Sequence, residues 1–337
     1  MRNQKSSLES SHFPVMLEEV VKICSPIEGG VYVDCTFGGG NYTKKILKFS
    51  GTKVIAIDRD ENILHLAKAI EKKYPNRFNF HQKRFSEVGA VASKNKIDAV
   101  IFDLGLSSIQ LNDLKRGFSF KSKESLDMSM GLSSISAEEV INEYSGHTLK
   151  LIIKILGEEK EASRIVKNII KARSIKKITK VDQLVEIIEK SKKKNYKKKI
   201  NPSTKTFQAL RIFVNKEVTE LIKGIINAVK ILKPGGKILV ISFHSIEDKV
   251  VKYFFSNYSS NRSNPSRYLP YNQESSNSLF EEYKNKILKP SNEEISQNSP
   301  SRSAKLRYAI RNKNKFIFPK ELIVKFKKYL DLENLYA

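Results

Sequence analysis

The chain has 337 residues, with 61 Lys and Arg against 36 Asp and Glu, a formal charge of +25 and two cysteines. That length suits two modest domains or one domain with a large insertion. Two cysteines exclude a disulfide scaffold, and Cys24 and Cys35 lack zinc-ligand spacing, so a reducing cytoplasm and no metal are expected. The basic excess points to a polyanionic partner, although an AT-rich genome, which favours Lys, Asn and Ile codons, would supply part of it.

Residues 1–11 are polar, without a signal-peptide core, and no stretch approaches the roughly twenty apolar residues of a membrane span. A short helix is expected within His12 to Ser25. Next comes Val31-Tyr-Val-Asp-Cys-Thr-Phe-Gly-Gly-Gly-Asn-Tyr42, a β-branched and aromatic run that reaches Asp34, then three glycines, then helical spacing to Phe49. This reads as strand, tight turn and helix. Glycines permit positive φ and close approach of a ligand to the backbone, although such turns also serve plain structure. Lys53–Asp58 is a second strand, Glu61–Lys73 an amphipathic helix, Phe78–His81 a third strand and Ile97–Asp103 a fourth. Apolar strands alternating with helices predict a parallel sheet covered on both faces.

The rhythm then breaks. Residues 113–135, with Gly117 and Gly131, read as an ordered loop. From Ser136 to Ser191 the period is helical, with Ser136 capping through Glu139 and further helices at 149–156, 158–170 and 179–189. The lysine tract 190–199 is a solvated linker or a phosphate-contacting strip. Phe207 to Leu232 reads as one long helix stopped by Pro234-Gly235-Gly236, before a fifth strand at Lys237–Phe243. Residues 257–303 read as a low-complexity mobile surface loop, Ala304–Arg311 as a last strand and the final twenty residues as a helix. The expected fold is α/β, a Rossmann-like sheet interrupted by an inserted all-helical unit. Residues 1–112 and 206–337 form the sheet domain and 113–205 the insertion.

Asp34, Asp58 and Asp103 each end a strand, where ligands of open α/β sheets bind. Asp58 lies roughly twenty residues past the glycine turn, the place of a carboxylate that accepts ribose hydroxyls. These acids predict a nucleoside-bearing cofactor. Gly38-Gly39-Gly40 after Asp34-x-Thr36 resembles motif I of class I S-adenosylmethionine methyltransferases more than G-x-G-x-x-G. Phe85, just past the third strand, is placed to contact adenine or to fill the core.

From Asp103 the match becomes specific. Asp103-Leu-Gly-Leu-Ser-Ser-Ile-Gln110, Arg116-Gly-Phe-Ser-Phe120, Leu126-Asp-Met128, Gly157-Glu-Glu, Asn201-Pro-Ser-Thr-Lys-Thr-Phe-Gln-Ala-Leu-Arg-Ile-Phe-Val-Asn215, Ile241-Ser-Phe-His-Ser-Ile-Glu-Asp248 and Arg302-Ser-Ala-Lys-Leu-Arg307 resemble the rRNA small-subunit methyltransferase H (MraW) family, as does His12-Phe-Pro-Val-Met16. The resemblance implies a cytoplasmic bacterial class I methyltransferase that transfers a methyl group from S-adenosylmethionine to N4 of a cytidine in the decoding region of 16S rRNA, within the 30S subunit. It places cofactor contacts at Gly38, Gly40, Asn41, Tyr42, Asp58, Phe85, Asp103 and Gln110, and RNA contacts at Arg116, Lys205, Arg211 and Asn215. Asn41 stands where the family pattern has another glycine, and Asn tolerates left-handed backbone. Phosphate contacts are expected from Arg164, Lys167, Lys171, Arg173 and the lysine tract.

The exocyclic amine of cytosine is a poor nucleophile because its lone pair is delocalised into the ring, so acceptors must hold its protons while the methyl donor is aligned. Asp103, with Ser107 or Ser108, fits that task. His244, ending the fifth strand, is a candidate proton acceptor or base contact, or a structural residue. A DNA or small-molecule amino-methyltransferase and a non-catalytic RNA-binding factor are the competing readings.

Overall fold

The computed structural model describes residues 14–93, 96–192, 201–261 and 278–335. Residues 1–13, most of the lysine tract and residues 262–277 lie outside the described residues, with the expectations attached to them.

The first half alternates as the apolar runs require: α1 (Leu17–Cys24), β1 (Val31–Asp34), α2 (Asn41–Leu47), β2 (Lys53–Asp58), α3 (Leu64–Lys73), β3 (Phe78–Gln82), α4 (Val88–Ala92) and β4 (Ile97–Asp103). After α5 (Ser108–Asn112) and an ordered loop come α6 (Ala137–Glu143), α7 (Gly146–Leu156), α8 (Ala162–Arg173), α9 (Val181–Ser191), α10 (Thr204–Asn215) and α11 (Glu217–Ile231). The chain then rejoins the sheet through β5 (Leu232–Ser242), followed by α12 (Ser245–Asn257), α13 (Asn292–Gln297), β6 (Lys305–Ile310) and α14 (Lys320–Glu333).

The six strands lie in the order β3-β2-β1-β4-β5-β6. The first five are parallel and β6 runs antiparallel against β5. Sheet order reverses between β1 and β4, so a crevice opens beyond their carboxyl ends. Alternation along the strands sends Val33, Ile57, Val100, Phe102 and Val240 to one face and Tyr32, Ala56, Ile101, Leu239 and Ile241 to the other. Val20, Ile46, Ala67 and Ile70, from α1 to α3, cover the second face. The first is covered by α4, α11, α12 and α14, and its apolar cluster continues without a break into Val140, Ile153, Ile165 and Leu184 of the inserted helices. The insertion therefore shares a core with the sheet.

Three expectations need correcting. The single helix across 207–232 is two, because Lys216 takes the left-handed conformation (φ 51°). Both helices keep the same apolar spacing, so periodicity hides the joint. Asn215 fixes it: its buried amide accepts from Met130 N (2.9 Å) and Ser133 Oγ (2.9 Å) and donates to Met128 O (2.8 Å). Second, β5 begins at Leu232 and runs through Pro234-Gly235-Gly236, with a register shift against β4 absorbing the irregularity. Third, the described part of 257–303 is anchored in the core at Leu279, Phe280 and Tyr283 and carries the short helix α13. Phe280 is fully buried against the rings of Phe254 and Phe255, 5.3 and 5.2 Å away. Polar composition concealed these few anchors.

The terminal helix supplies something periodicity could not announce. The first turn of α11 has no side-chain cap of its own. Glu333, at the end of α14, accepts instead from Val218 N (3.1 Å), Thr219 N (2.8 Å) and Thr219 Oγ1 (2.6 Å).

Candidate active site

The glycine turn is built as its composition requires. Gly38 (φ 49°) and Gly40 (φ 70°) occupy left-handed conformations, and Gly40 precedes the first residue of α2. A Cβ on Gly40 would stand 2.8 Å from the Phe37 ring and 2.9 Å from Ile70, so the position is closed to side chains. Asn41 has no need of its expected left-handed tolerance. It starts α2 with ordinary negative φ, because Gly40 has already made the bend.

The strand-end acids are tied to this turn. Asp58 Oδ2 accepts from Gly38 N (2.8 Å) and Oδ1 from Asp60 N (3.0 Å), and burial pushes its carboxyl above the usual range. Asp34 accepts from Thr43 Oγ1 (2.7 Å), and burial raises it to about 6. Thr36 Oγ1 accepts from Asp103 N (2.7 Å), which stitches the end of β1 to that of β4 across the point of reversal. Asp103 Oδ2 lies 3.0 Å from the Tyr42 hydroxyl, while Oδ1 is buried with no hydrogen-bond partner. Burial raises the Asp103 carboxyl to about 7; the Tyr42 contact opposes the rise, and Asp34, Glu247 and Glu294 add to it.

These residues line one cavity. Gly38, Asn41, Tyr42, Asp58, Phe85, Asp103, Ser107, Ser108 and Gln110 all form its wall, together with Arg59, Met130, Phe243 and Pro300. Phe85 does two jobs: it faces the cavity and packs edge-on against Phe102 with ring centroids 5.6 Å apart. Ser107 caps α5 by accepting from Gln110 N (3.2 Å), so its hydroxyl already has a partner. Gln110 accepts from Ser107 N (3.1 Å) and donates to Asp60 Oδ2 (2.8 Å). The lining thus combines an orphaned acid oxygen, a backbone cradle and an aromatic edge, which fits a nucleoside carrying a cationic group.

The remaining candidates lie behind that wall. Arg116 pairs with Asp60 and donates to Ser129 O (2.9 Å). Burial works against ionisation of Asp60, yet Arg116 and Gln110 hold its carboxyl below the usual range. Arg211 is bidentate to Glu217, at 2.8 and 3.0 Å, and Lys205 Nζ donates to Glu158 O (2.7 Å). His244 caps α12, with Nδ1 3.5 Å from Glu247 N. Its Nε2 lies 3.1 Å from Glu247 Oε1 without the direction of a hydrogen bond. Glu217, His244 and Glu247 bring ligand atoms within 4.8 Å of one another, but Arg211 already neutralises Glu217, which makes the group an ion-pair network. On the insertion Arg164 pairs with Glu161 and Arg173 donates to Ile141 O (2.6 Å), while Lys167 and Lys171 are exposed.

Sequence reasoning missed Asp60, Glu217, Glu247 and Glu294. Asp60, Glu217 and Glu294 pair with groups on other elements, so no local spacing marks them, whereas Glu247 stands three residues after His244 in a capping box that local spacing could have shown. It also missed Arg59, which donates to Gly131 O (2.7 Å) and Asn215 O (3.1 Å) and pins the loop carrying Met130 over the cavity. Among the described residues no helix is long and apolar enough to cross a membrane.

Comparison with known proteins matches residues 9–312 to the MraW methylase family. Proteins of Brucella anthropi and Brucella ovis, both named ribosomal RNA small subunit methyltransferase H, are each 39% identical over 93% of this chain, covering 90% and 91% of their own lengths. A solved rRNA methylase from Streptococcus thermophilus covers 93% of the chain at 11% identity with a TM-score of 0.39, too slight a likeness to add to that match. With the family pattern running through the glycine turn, the loop after β4 and the strand-end acids that build the cavity, the chain belongs to the MraW methylase family.

Proposed function

We propose that this protein is an S-adenosylmethionine-dependent methyltransferase of the bacterial cytoplasm that modifies 16S rRNA, acting on N4 of a cytidine in the decoding region. The observation that carries this reading is the placement of Asp103. At the sheet's point of reversal, in the cavity of a MraW-family chain, it offers an acid oxygen without a partner.

When bound, S-adenosylmethionine supplies an electrophilic methyl group. Everything else falls to the chain. The left-handed Gly38 and Gly40 turn receives the amino-acid end, Asp58 the ribose hydroxyls and Phe85 the adenine. Asp103 Oδ1, with the backbone between Leu104 and Ser108, holds the protons of the target amine and turns its lone pair toward the donor. The base must leave its stack to arrive there, at a cost of a few kcal/mol that is least in single-stranded or non-canonical RNA. Arg116, Arg211, Asn215 and His244 act in this reading from behind, fixing the walls through Asp60, Glu217, the 128–133 loop and Glu247. Lys167 and Lys171 on the insertion meet phosphates, which makes binding steeply salt-dependent.

The test is transfer of tritiated methyl to 30S subunits, free 16S rRNA and DNA, followed by nucleoside analysis. N4-methylcytidine in RNA is the expected product. Label confined to DNA, or at another position of the base, would sink the assignment.

A further inference from the structure

The oxygens around Tyr42 do not balance unless Asp103 carries a proton. The Tyr42 hydroxyl lies 2.5 Å from Val15 O and 3.0 Å from Asp103 Oδ2. Two contacts between three oxygens need two hydrogens, and the tyrosine owns one. A carbonyl only accepts, so the tyrosine's hydrogen goes to Val15 and the second must come from the carboxyl. If Tyr42 donated to an ionised Asp103 instead, Val15 O and Tyr42 Oη would face each other at 2.5 Å with nothing between them.

The surroundings favour the neutral acid. Asp34 from β1, Glu247 from α12 and Glu294 from α13 all act on Asp103 as negative charges, while its Oδ1 has no donor. Glu294 is itself fixed, accepting from Met16 N (3.0 Å), and Asp34 accepts from Thr43. Arg211 offsets part of the Glu247 charge, and burial pushes the Tyr42 hydroxyl well above its ordinary range, so the proton that is released does not come from the tyrosine.

We propose that Asp103 and Tyr42 form a proton-storing pair that senses the charge of the ligand: Asp103 is a neutral acid donating from Oδ2 to Tyr42 until a sulfonium comes beside Oδ1, and then releases that proton and accepts from Tyr42. The step balances without a redox partner. The carboxyl O–H breaks, its proton leaves to solvent, and the tyrosine O–H turns to Asp103 Oδ2 as Tyr42 Oη draws back from Val15 O, whose 2.5 Å approach holds only while that hydrogen lies between them. The charged methyl donor would thereby be told from its uncharged thioether product by one proton, which favours departure of the product. The inference rests on the cofactor reading above and deepens it.

Calorimetric titration of the full chain with S-adenosylmethionine and with S-adenosylhomocysteine, in buffers of different ionisation enthalpy, measures the protons released. Near pH 6, approaching one proton should appear with the sulfonium and close to none with the thioether. Between pH 5 and 7 the affinity for the sulfonium should rise by up to about tenfold per pH unit while that for the thioether stays level. Asp103→Asn should abolish the release, and Tyr42→Phe should weaken sulfonium binding more than thioether binding. An infrared band of a protonated carboxyl, absent from Asp103→Asn and lost when the sulfonium is added, is the second readout. Equal release for the two ligands, or release that survives Asp103→Asn, overturns the proposal alone. Failure of both ligands to bind overturns it together with the cofactor reading.

Discussion

Replacing Asp103 by Asn should make the protein more stable, and by an amount set by pH. The carboxyl is half-buried in the cavity wall with its Oδ1 shielded from water, and burial lifts it from 3.8 to about 7. A raised acid binds its proton more tightly in the folded state, so its contribution to stability is complete below pH 3.8 and is lost as pH climbs through about 7. That rise corresponds to about 4 kcal/mol of preference for the neutral acid. The wild type should therefore forfeit about 4 kcal/mol between pH 4 and 7 that the Asn variant keeps, since the amide has no charge to desolvate. Other groups, Asp34 included, titrate in both proteins and largely cancel in the difference. Urea unfolding followed by circular dichroism at half-unit pH intervals gives the curve. A difference that is flat with pH, or that favours the wild type at pH 8, would refute the buried neutral acid and with it the donor count around Tyr42.

Four smaller changes test the scaffold. Glu333→Ala removes the borrowed cap of α11 and orphans two buried N–H groups, so a loss of about 2 kcal/mol is expected by chemical denaturation; an unchanged midpoint would mean that water replaces it. Lys216→Gly relieves a left-handed lysine (φ 51°) and should stabilise by about 1 kcal/mol, visible as a higher melting temperature. Phe280→Ala opens a cavity among Phe254, Phe255 and Tyr283 and should cost about 3–5 kcal/mol; a loss below 1 kcal/mol by the same denaturation would show that the segment after residue 277 is not part of the core. Gly157→Ala places a Cβ 2.4 Å from Lys205 O, an overlap with backbone that should cost about 1–3 kcal/mol and speed proteolytic cutting between α7 and α10.

Local sequence determined most elements of the sheet half of this protein and the position of its ligand-facing end. Apolar runs at Val31, Lys53 and Ile97 could only be buried parallel strands, and glycines at 38 and 40 sit where positive φ is obligatory. Asp34, Asp58 and Asp103 were visible because strand ends are local facts, and all three border one turn or one cavity. What each side chain was free to do was not visible. Arg116 and Arg211 read as RNA-facing cations, yet each is held by a carboxylate from another element, Asp60 or Glu217. His244 ends the expected strand but stands behind Phe243, facing Glu217 and Glu247. The joint at Lys216, the packing of Phe280 and the cap from Glu333 were hidden for the same reason. Periodicity reports which face of a segment is buried, while pairings across tens or hundreds of residues are chosen only when the sheet and the helices close over one core. The stored proton on Asp103 belongs to this second kind: an acid at a strand end is written in the chain, but its protonation depends on Tyr42, Val15, Asp34, Glu247 and Glu294 meeting around it.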